Sequence, residues 1–295
     1  MSFATLWNPL SGDGNSHLLI FYTTSKLNLG IRQWNIDGAG PSWSERQESP
    51  IGVIQQGSKL GAIQRQGQIC VYGITNVKDS KGDKSCVSLL SPVQLSLGVK
   101  ATFGRLAAAG DGNEDGWLYF IRDDPPAIYE HRLDSESPSP ARIDHDAKLW
   151  GENGSVTHLA ACYIPSTNSR YVVYQTAACQ IILFDVKKKL ATIIGHSIFA
   201  KGGTPLAIAS YVDGAGKVAR IIYFVSDGNG ALMKARSVDG GDWEISNVAD
   251  ASKPSDNTTL SVSVSETKKH NIIVYSNQPD LQAMEIHIDP WVRVS

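Results

Sequence analysis

Ile20-Phe21-Tyr22, Cys70-Val71-Tyr72, Trp117-Leu118-Tyr119, Val172-Val173-Tyr174, Ile221-Ile222-Tyr223 and Ile273-Val274-Tyr275 are six copies of one pattern, a short apolar run closed by a tyrosine. Successive tyrosines fall 47 to 55 residues apart, too regular for unrelated strands and too long for a helical solenoid repeat. The runs are rich in β-branched and aromatic residues, and a four-stranded propeller blade takes about 40 to 50 residues. The pattern predicts an all-β, six-bladed β-propeller with about four antiparallel strands per blade.

Each tyrosine run is preceded by a strand of small residues: Ala4-Thr5-Leu6, Leu60-Gly61-Ala62-Ile63, Leu106-Ala107-Ala108-Ala109, Leu159-Ala160-Ala161-Cys162, Leu206-Ala207-Ile208-Ala209 and Leu260-Ser261-Val262-Ser263. Blades converge on an axis where only small side chains fit, so these read as the innermost strands, with the tyrosine run second. Turn residues follow, as in Asp123-Asp124-Pro125-Pro126 and Asp227-Gly228-Asn229-Gly230. Third strands are expected over 30–37, 127–134, 179–186, 231–238 and 281–289. In the second blade a polar loop is expected over 78–84. Blades fall at about 1–56, 57–99, 100–152, 153–200, 201–255 and 256–295 of one domain. Residues 2–9 read as a first strand and Trp291-Val292-Arg293-Val294 as a fourth, so the ring should close without strand exchange.

Composition agrees with many short strands: 295 residues, 42% hydrophobic and 19% charged, with 27 glycines and 13 prolines. A net charge of −2 and the lack of a basic stripe argue against a nucleic-acid partner, and Lys187-Lys188-Lys189 reads as a solvated hairpin tip. No apolar run has the length of a leader peptide or membrane span, so a cytoplasmic protein without a membrane partner is expected. Asn153-Gly154-Ser155 and Asn257-Thr258-Thr259 would matter as glycosylation sequons only on a secreted chain. Cys70, Cys86, Cys162 and Cys179 lack metal-type spacing and read as buried free thiols within strands.

No metal is expected either. Asp111-Gly112-Asn113-Glu114-Asp115-Gly116 imitates half a calcium loop, but Arg122 stands at the twelfth position, where a bidentate glutamate is needed, so the segment reads as a hairpin loop. The motifs of serine hydrolases, nucleotide-binding loops and zinc proteases are absent. Three third strands alternate strictly. Gln33, Asn35 and Asp37 share a face, as do Glu130, Arg132 and Asp134, and Glu285, His287 and Asp289.

With these strands in hand, the chain resembles the fungal fucose-binding lectins over essentially its whole length. That family is built of six-bladed propellers whose repeat joins an apolar-Tyr strand, an Ile-x-Glu strand and a Gly-x-Trp turn. The likeness is clearest in Gly30-Ile31-Arg32-Gln33 with Pro41-Ser42-Trp43, and in Tyr223-Phe224-Val225 with Gly241-Asp242-Trp243. In the family an arginine two residues before the second-strand aromatic and the third-strand glutamate hydrogen-bond the sugar, and the tryptophan packs on it. The resemblance implies Gln33, Trp43, Arg220, Trp243 and Trp291 as ligand-binding candidates. Here the arginine positions hold Ile20, Cys70, Trp117, Val172, Ile221 and Ile273, the alignable glutamate positions hold Gln33, Glu130, Lys234 and Glu285, and Arg220 stands one residue off.

Two readings follow from this departure. The first is a cofactor-free enzyme closing rings in a natural-product pathway, by hydroalkoxylation or pericyclic reaction of an apolar phenolic polyketide, as fungal members of the fold do. Its catalytic residues would be Glu130, Glu285, His287 and Asp289, because a carboxylic acid in a partly apolar crevice has a raised pKa and can act as a general acid. The alternative is a carbohydrate-binding lectin of altered specificity. Either takes a small hydrophobic or carbohydrate ligand, needs no cofactor, and is compatible with a homodimer.

Overall fold

The computed structural model describes residues 2–9, 17–36, 45–47, 52–79, 82–102, 104–123, 126–133, 139–144, 157–195, 200–278 and 284–291. The chain packs as two compact units, Met1–Ala147 and Lys148–Ser295, each carrying three antiparallel sheets. In the first unit the sheets are β1 (Phe3–Trp7), β2 (His17–Thr23), β3 (Leu29–Asn35) and β4 (Glu45–Gln47); β5 (Gly61–Arg65), β6 (Gln68–Asp79), β7 (Gly82–Ser91) and β8 (Leu95–Lys100); and β9 (Leu106–Gly110), β10 (Gly116–Asp123), β11 (Pro126–Arg132) and β12 (Ala141–Asp144).

In the second unit they are β13 (Ala160–Ile164), β14 (Ser169–Gln175), β15 (Ile181–Asp185) and β16 (Leu190–Ile193); β17 (Ala207–Val212), β18 (Val218–Val225), β19 (Leu232–Val238) and β20 (Glu244–Asn247); and β21 (Ser261–Ser265), β22 (His270–Ser276) and β23 (Met284–Pro290). Each is an up-and-down sheet, and the six are the blades of a six-bladed propeller. Helix is confined, among the described residues, to one 3-10 turn at Pro165–Thr167.

The innermost strands of neighbouring blades touch: β1 with β5 and β5 with β9, then β13 with β17 and β17 with β21. Small residues are required there, since a Cβ on Gly61 would lie 2.7 Å from that of Ala108. Apolar layers fill the space between blades. Ile222 and Phe224 pack against Val173, Ile164 and Ala160 between the fourth and fifth blades, and Tyr223 packs with Ile273 and Tyr275 between the fifth and sixth.

A hydroxyl clamp that the sequence reading missed recurs in four blades. Ser58, Thr157, Thr204 and Thr258 each stand two residues before the inner-strand leucine. Their hydroxyls accept the N–H of Ile74, Gln175, Val225 and Ser276 at 2.8, 2.6, 2.7 and 2.7 Å. Each also donates to the carbonyl of the next residue, so the segment leading into the inner strand is tied to the second strand of its blade.

Several expectations need correction. The polar loop expected over 78–84 is instead largely strand: β6 and β7 stay paired to Lys78↔Asp83 and Asp79↔Gly82, because polar residues can form a ladder, while residues 80–81 lie outside the described residues. Cys179 lies in a turn at φ 60°, outside any strand, and both it and Cys162 are half-buried, whereas Cys70 and Cys86 are buried; all four are free. β23 ends at Pro290, so Trp291 is not in a strand, while residues 292–294 lie outside the described residues, as do Asp37, Asp134, residues 124–125 and the Asn153 sequon. β1 pairs with β2 in its own blade, as expected, and Lys187-Lys188-Lys189 is an exposed turn.

The six tyrosines, moreover, are not equivalent. The residue after the inner-strand leucine lies opposite the tyrosine in the second, third and fifth blades (Gly61↔Tyr72, Ala107↔Tyr119, Ala207↔Tyr223). In the fourth and sixth it lies opposite the residue before the tyrosine (Ala160↔Val173, Ser261↔Val274), and in the first Ala4 likewise faces Phe21. Neighbouring residues of a strand point to opposite faces, so Tyr72, Tyr119 and Tyr223 point one way through their blades and Tyr22, Tyr174 and Tyr275 the other.

Candidate functional site

Counted from the inner strand instead of the tyrosine, Arg220, opposite Ser210, is matched by Arg170, opposite Tyr163, and by Asn271, opposite Val264. The same position holds Leu18, Ile69 and Gly116 in the first three blades. Arg220 shares a face with Ile222 and Phe224 and so points at the fourth blade. Its guanidinium carbon lies 5.4 Å from the ring centre of Tyr171, on that blade, and 5.7 Å from that of Trp243, in the segment joining β19 to β20. Both are within cation–π range.

Ser237, opposite Arg220 in the ladder, accepts only a long contact of 3.5 Å from Nη2, while its own hydroxyl donates to the Gly241 carbonyl at 2.8 Å. That contact is the one side-chain hydrogen bond of Arg220 among the described residues. Five N–H donors are thus held between two aromatic rings with little to donate to. Cys162 lies opposite Tyr171 and is hydrogen-bonded to Ser210. Burial pushes its thiol up to about 12, against the opposing pull of Ser210 and Arg220, so it stays protonated.

The crevice between the fifth and sixth blades is built from matching positions but is closed. Asp289 is buried and accepts two hydrogen bonds, from Lys234 Nζ at 2.6 Å and from the Tyr223 hydroxyl at 2.7 Å. Asn271 donates to the Tyr223 oxygen at 2.7 Å and accepts from Trp291 Nε1 at 3.1 Å. The Trp291 ring is stacked on Tyr211 at 3.6 Å and 5°. Burial, with the Asp289 carboxylate next in weight, holds the Tyr223 phenol well above its ordinary range. Tyr211 Oη is buried there without a hydrogen-bond partner among the described residues.

Of the residues singled out from sequence, Glu285, His287 and Asp289 do share a face of β23, opposite Tyr275, Ile273 and Asn271, and that face meets the fifth blade. Glu285 accepts from Asn277 Nδ2 at 2.7 Å and His287 is half-buried. Glu130 is on β11 of the first unit, opposite Tyr119 and Ala141. Gln33 is on β3 opposite Leu19, and Trp43 lies outside the described residues. Arg220 and Trp243 come together, whereas Trp291 belongs to the neighbouring crevice. Sequence reasoning missed Tyr171, and it placed Lys234 at a glutamate position without foreseeing its pairing with Asp289. Tyr171 could have been found from its place next to Arg170, one residue past the arginine position. The Asp111 loop is an ordinary hairpin turn, its carboxylate accepting the N–H groups of Asn113 and Asp115 at 2.8 and 3.1 Å. Among the described residues no three His, Cys, Asp or Glu side chains form a group that could hold a metal ion.

No family model matches the chain. It is 25% identical to a wall-associated proteinase of Coccidioides posadasii, over 94% of this chain and 92% of that protein. Among solved structures it is similar to the SapL1 lectin in complex with α-methyl fucoside, at 14% identity and a TM-score of 0.71, covering 99% of this chain and 92% of that one. It is also similar to the fungal lectin of Aleuria aurantia, a six-bladed β-propeller with a fucose recognition mode of its own, at 16% identity and a TM-score of 0.66, covering 98% and 95%. At such identities the likeness is one of fold, and the chain has the six-bladed β-propeller of the fungal fucose lectins.

Proposed function

We propose that this chain is a carbohydrate-binding propeller whose working site is the crevice between its fourth and fifth blades. The observation that carries the reading is Arg220, braced between Tyr171 and Trp243 with almost all of its N–H donors unclaimed. A planar fork of donors beside an indole suits a sugar, which presents hydroxyls at its edge and C–H groups on its face. The similarity of fold to lectins, one of them solved with α-methyl fucoside, points the same way.

Arginine stands at this position only in the fourth and fifth blades, so one or two sites per chain are expected and not six. Ring-forming chemistry gains less from the geometry. Asp289 is committed to Lys234 and Tyr223, and Glu285 to Asn277, which makes both carboxylates anchors of the blade. A proteinase activity, which the name of the Coccidioides relative raises, gains nothing from Cys162, since a protonated thiol is a poor nucleophile.

A glycan array followed by calorimetric titration tests the proposal. The native chain should bind at least one glycan class with one or two sites, and Trp243→Ala should weaken that binding about tenfold or more, the loss of one well-placed aromatic contact. A folded protein that binds no glycan on the array would refute it.

A further inference from the structure

The Arg220 site also indicates which sugars it takes, provided the carbohydrate-binding reading holds. On β19 the residues sharing the Arg220 face are Ser237, Ala235 and Met233, the ladder partners of Arg220, Ile222 and Phe224. None is acidic. Lys234 points to the opposite face, where it meets Asp289. Near it too are Ser210 across the ladder, Tyr171, Trp243 and the Cys162 thiol, all uncharged, and the Gly240 backbone. Arg220 makes no ion pair among the described residues, even though Asp239 and Asp242 flank the Gly240 backbone near its Nη2, so no carboxylate of this chain is paired with its guanidinium there.

A half-buried cation without a counter-ion interacts more strongly with an anionic ligand than with a neutral one, and a carboxylate matches the guanidinium fork with two parallel N–H···O bonds. We propose that the ligand of this site is an acidic sugar, a hexuronate or another carboxylate-bearing glycan residue. Its carboxylate sits on Arg220 and the apolar face of its ring lies against Trp243. A neutral sugar such as fucose lacks the charge that the site leaves unanswered.

Full-length native protein and the variants Arg220→Gln and Arg220→Lys are titrated by calorimetry with methyl glucuronide, methyl galacturonide and their neutral counterparts, methyl glucoside and methyl galactoside, with methyl fucoside alongside. The native chain should bind a uronide about tenfold or more tighter than its neutral counterpart. Arg220→Gln should abolish that preference, and Arg220→Lys, which keeps the charge but loses the fork, should retain part of it. In the native protein alone, raising NaCl from about 0.05 to 0.5 M should weaken uronide binding and leave any neutral binding unchanged. If neutral sugars bind as well as uronides and depend equally on Arg220, the carbohydrate-binding reading survives and the acidic-ligand inference is overturned. Uronide binding that persists undiminished in Arg220→Gln overturns the placement. If no sugar of either class binds the native chain, both fall.

Discussion

Lys234 and Asp289 make a buried ion pair across two blades, with 12% and 5% of their side chains exposed and a 2.6 Å contact. Removing one charge should cost much more than removing both. Lys234→Met leaves the Asp289 carboxylate in the interior with the Tyr223 hydroxyl as its remaining donor. Asp289→Asn leaves an ammonium there and weakens the Tyr223–Asn271 chain behind it. Breaking a buried pair from one side costs about 3–5 kcal/mol, while replacing both partners by uncharged groups of similar volume is often near neutral. Each single variant should therefore lose about 3–5 kcal/mol and the double variant Lys234→Met/Asp289→Asn no more than about 2, a coupling of several kcal/mol. Urea unfolding followed by tryptophan fluorescence measures all four corners of the cycle, with Trp291, hydrogen-bonded into the network, as a local reporter. Single losses below about 1 kcal/mol that simply add in the double variant would show that water reaches the pair and that the crevice is open.

Three further outcomes can be measured. Burial, with Arg105 next, lowers the Lys59 pKa to about 7 from 10.5, so between those values the unfolded chain binds more protons and native stability should rise with pH; Lys59→Met should flatten the rise in Tm between pH 7 and pH 9.5, and a native Tm that falls over that range contradicts the reading. Gly61→Val should cost about 1–3 kcal/mol through overpacking on Ala108, and Ala108→Gly in the same chain should recover part of it in chemical denaturation; equal stability of Gly61→Val and native protein would mean the inner strands have room. Tyr211→Phe removes a buried hydroxyl without a partner among the described residues and should leave urea stability unchanged or raise it by about 1 kcal/mol, whereas a loss of 2 or more would reveal a partner.

Much of the fold could be read from the chain because propeller geometry leaves local marks. Small residues after Leu60, Leu106, Leu159 and Leu206 announce strands crowded at the axis, and Gly228-Asn229-Gly230 announces a reversal. The site was harder to read, for two physical reasons. The tyrosine served as the ruler, yet in the second, third and fifth blades it lies on the other face of the strand. This moved the arginine position by one residue and made Arg220 look misplaced. The fate of Asp289, moreover, depends on Lys234, 55 residues earlier in the chain and in another blade. Alternation along β23 correctly put Glu285, His287 and Asp289 on one face. It could not show that this face meets another sheet instead of water.

The split parity of the tyrosines bears on anyone who would cut and splice this molecule. Repeat proteins invite exchange of units, and the obvious seam would superimpose one tyrosine on the next. Grafting the second strand of the sixth blade into the fifth in that frame would set Asn271 where Ala219 lies, with its amide in an apolar layer, and would leave no residue in the role of Arg220. A frame anchored on the leucine of the inner strand brings Asn271 onto Arg220 and keeps every side chain on its own side of the sheet. Chimeras assembled in the first frame should be recovered as aggregates, and those in the second as soluble protein, though the amino acids exchanged differ by a single step along the chain.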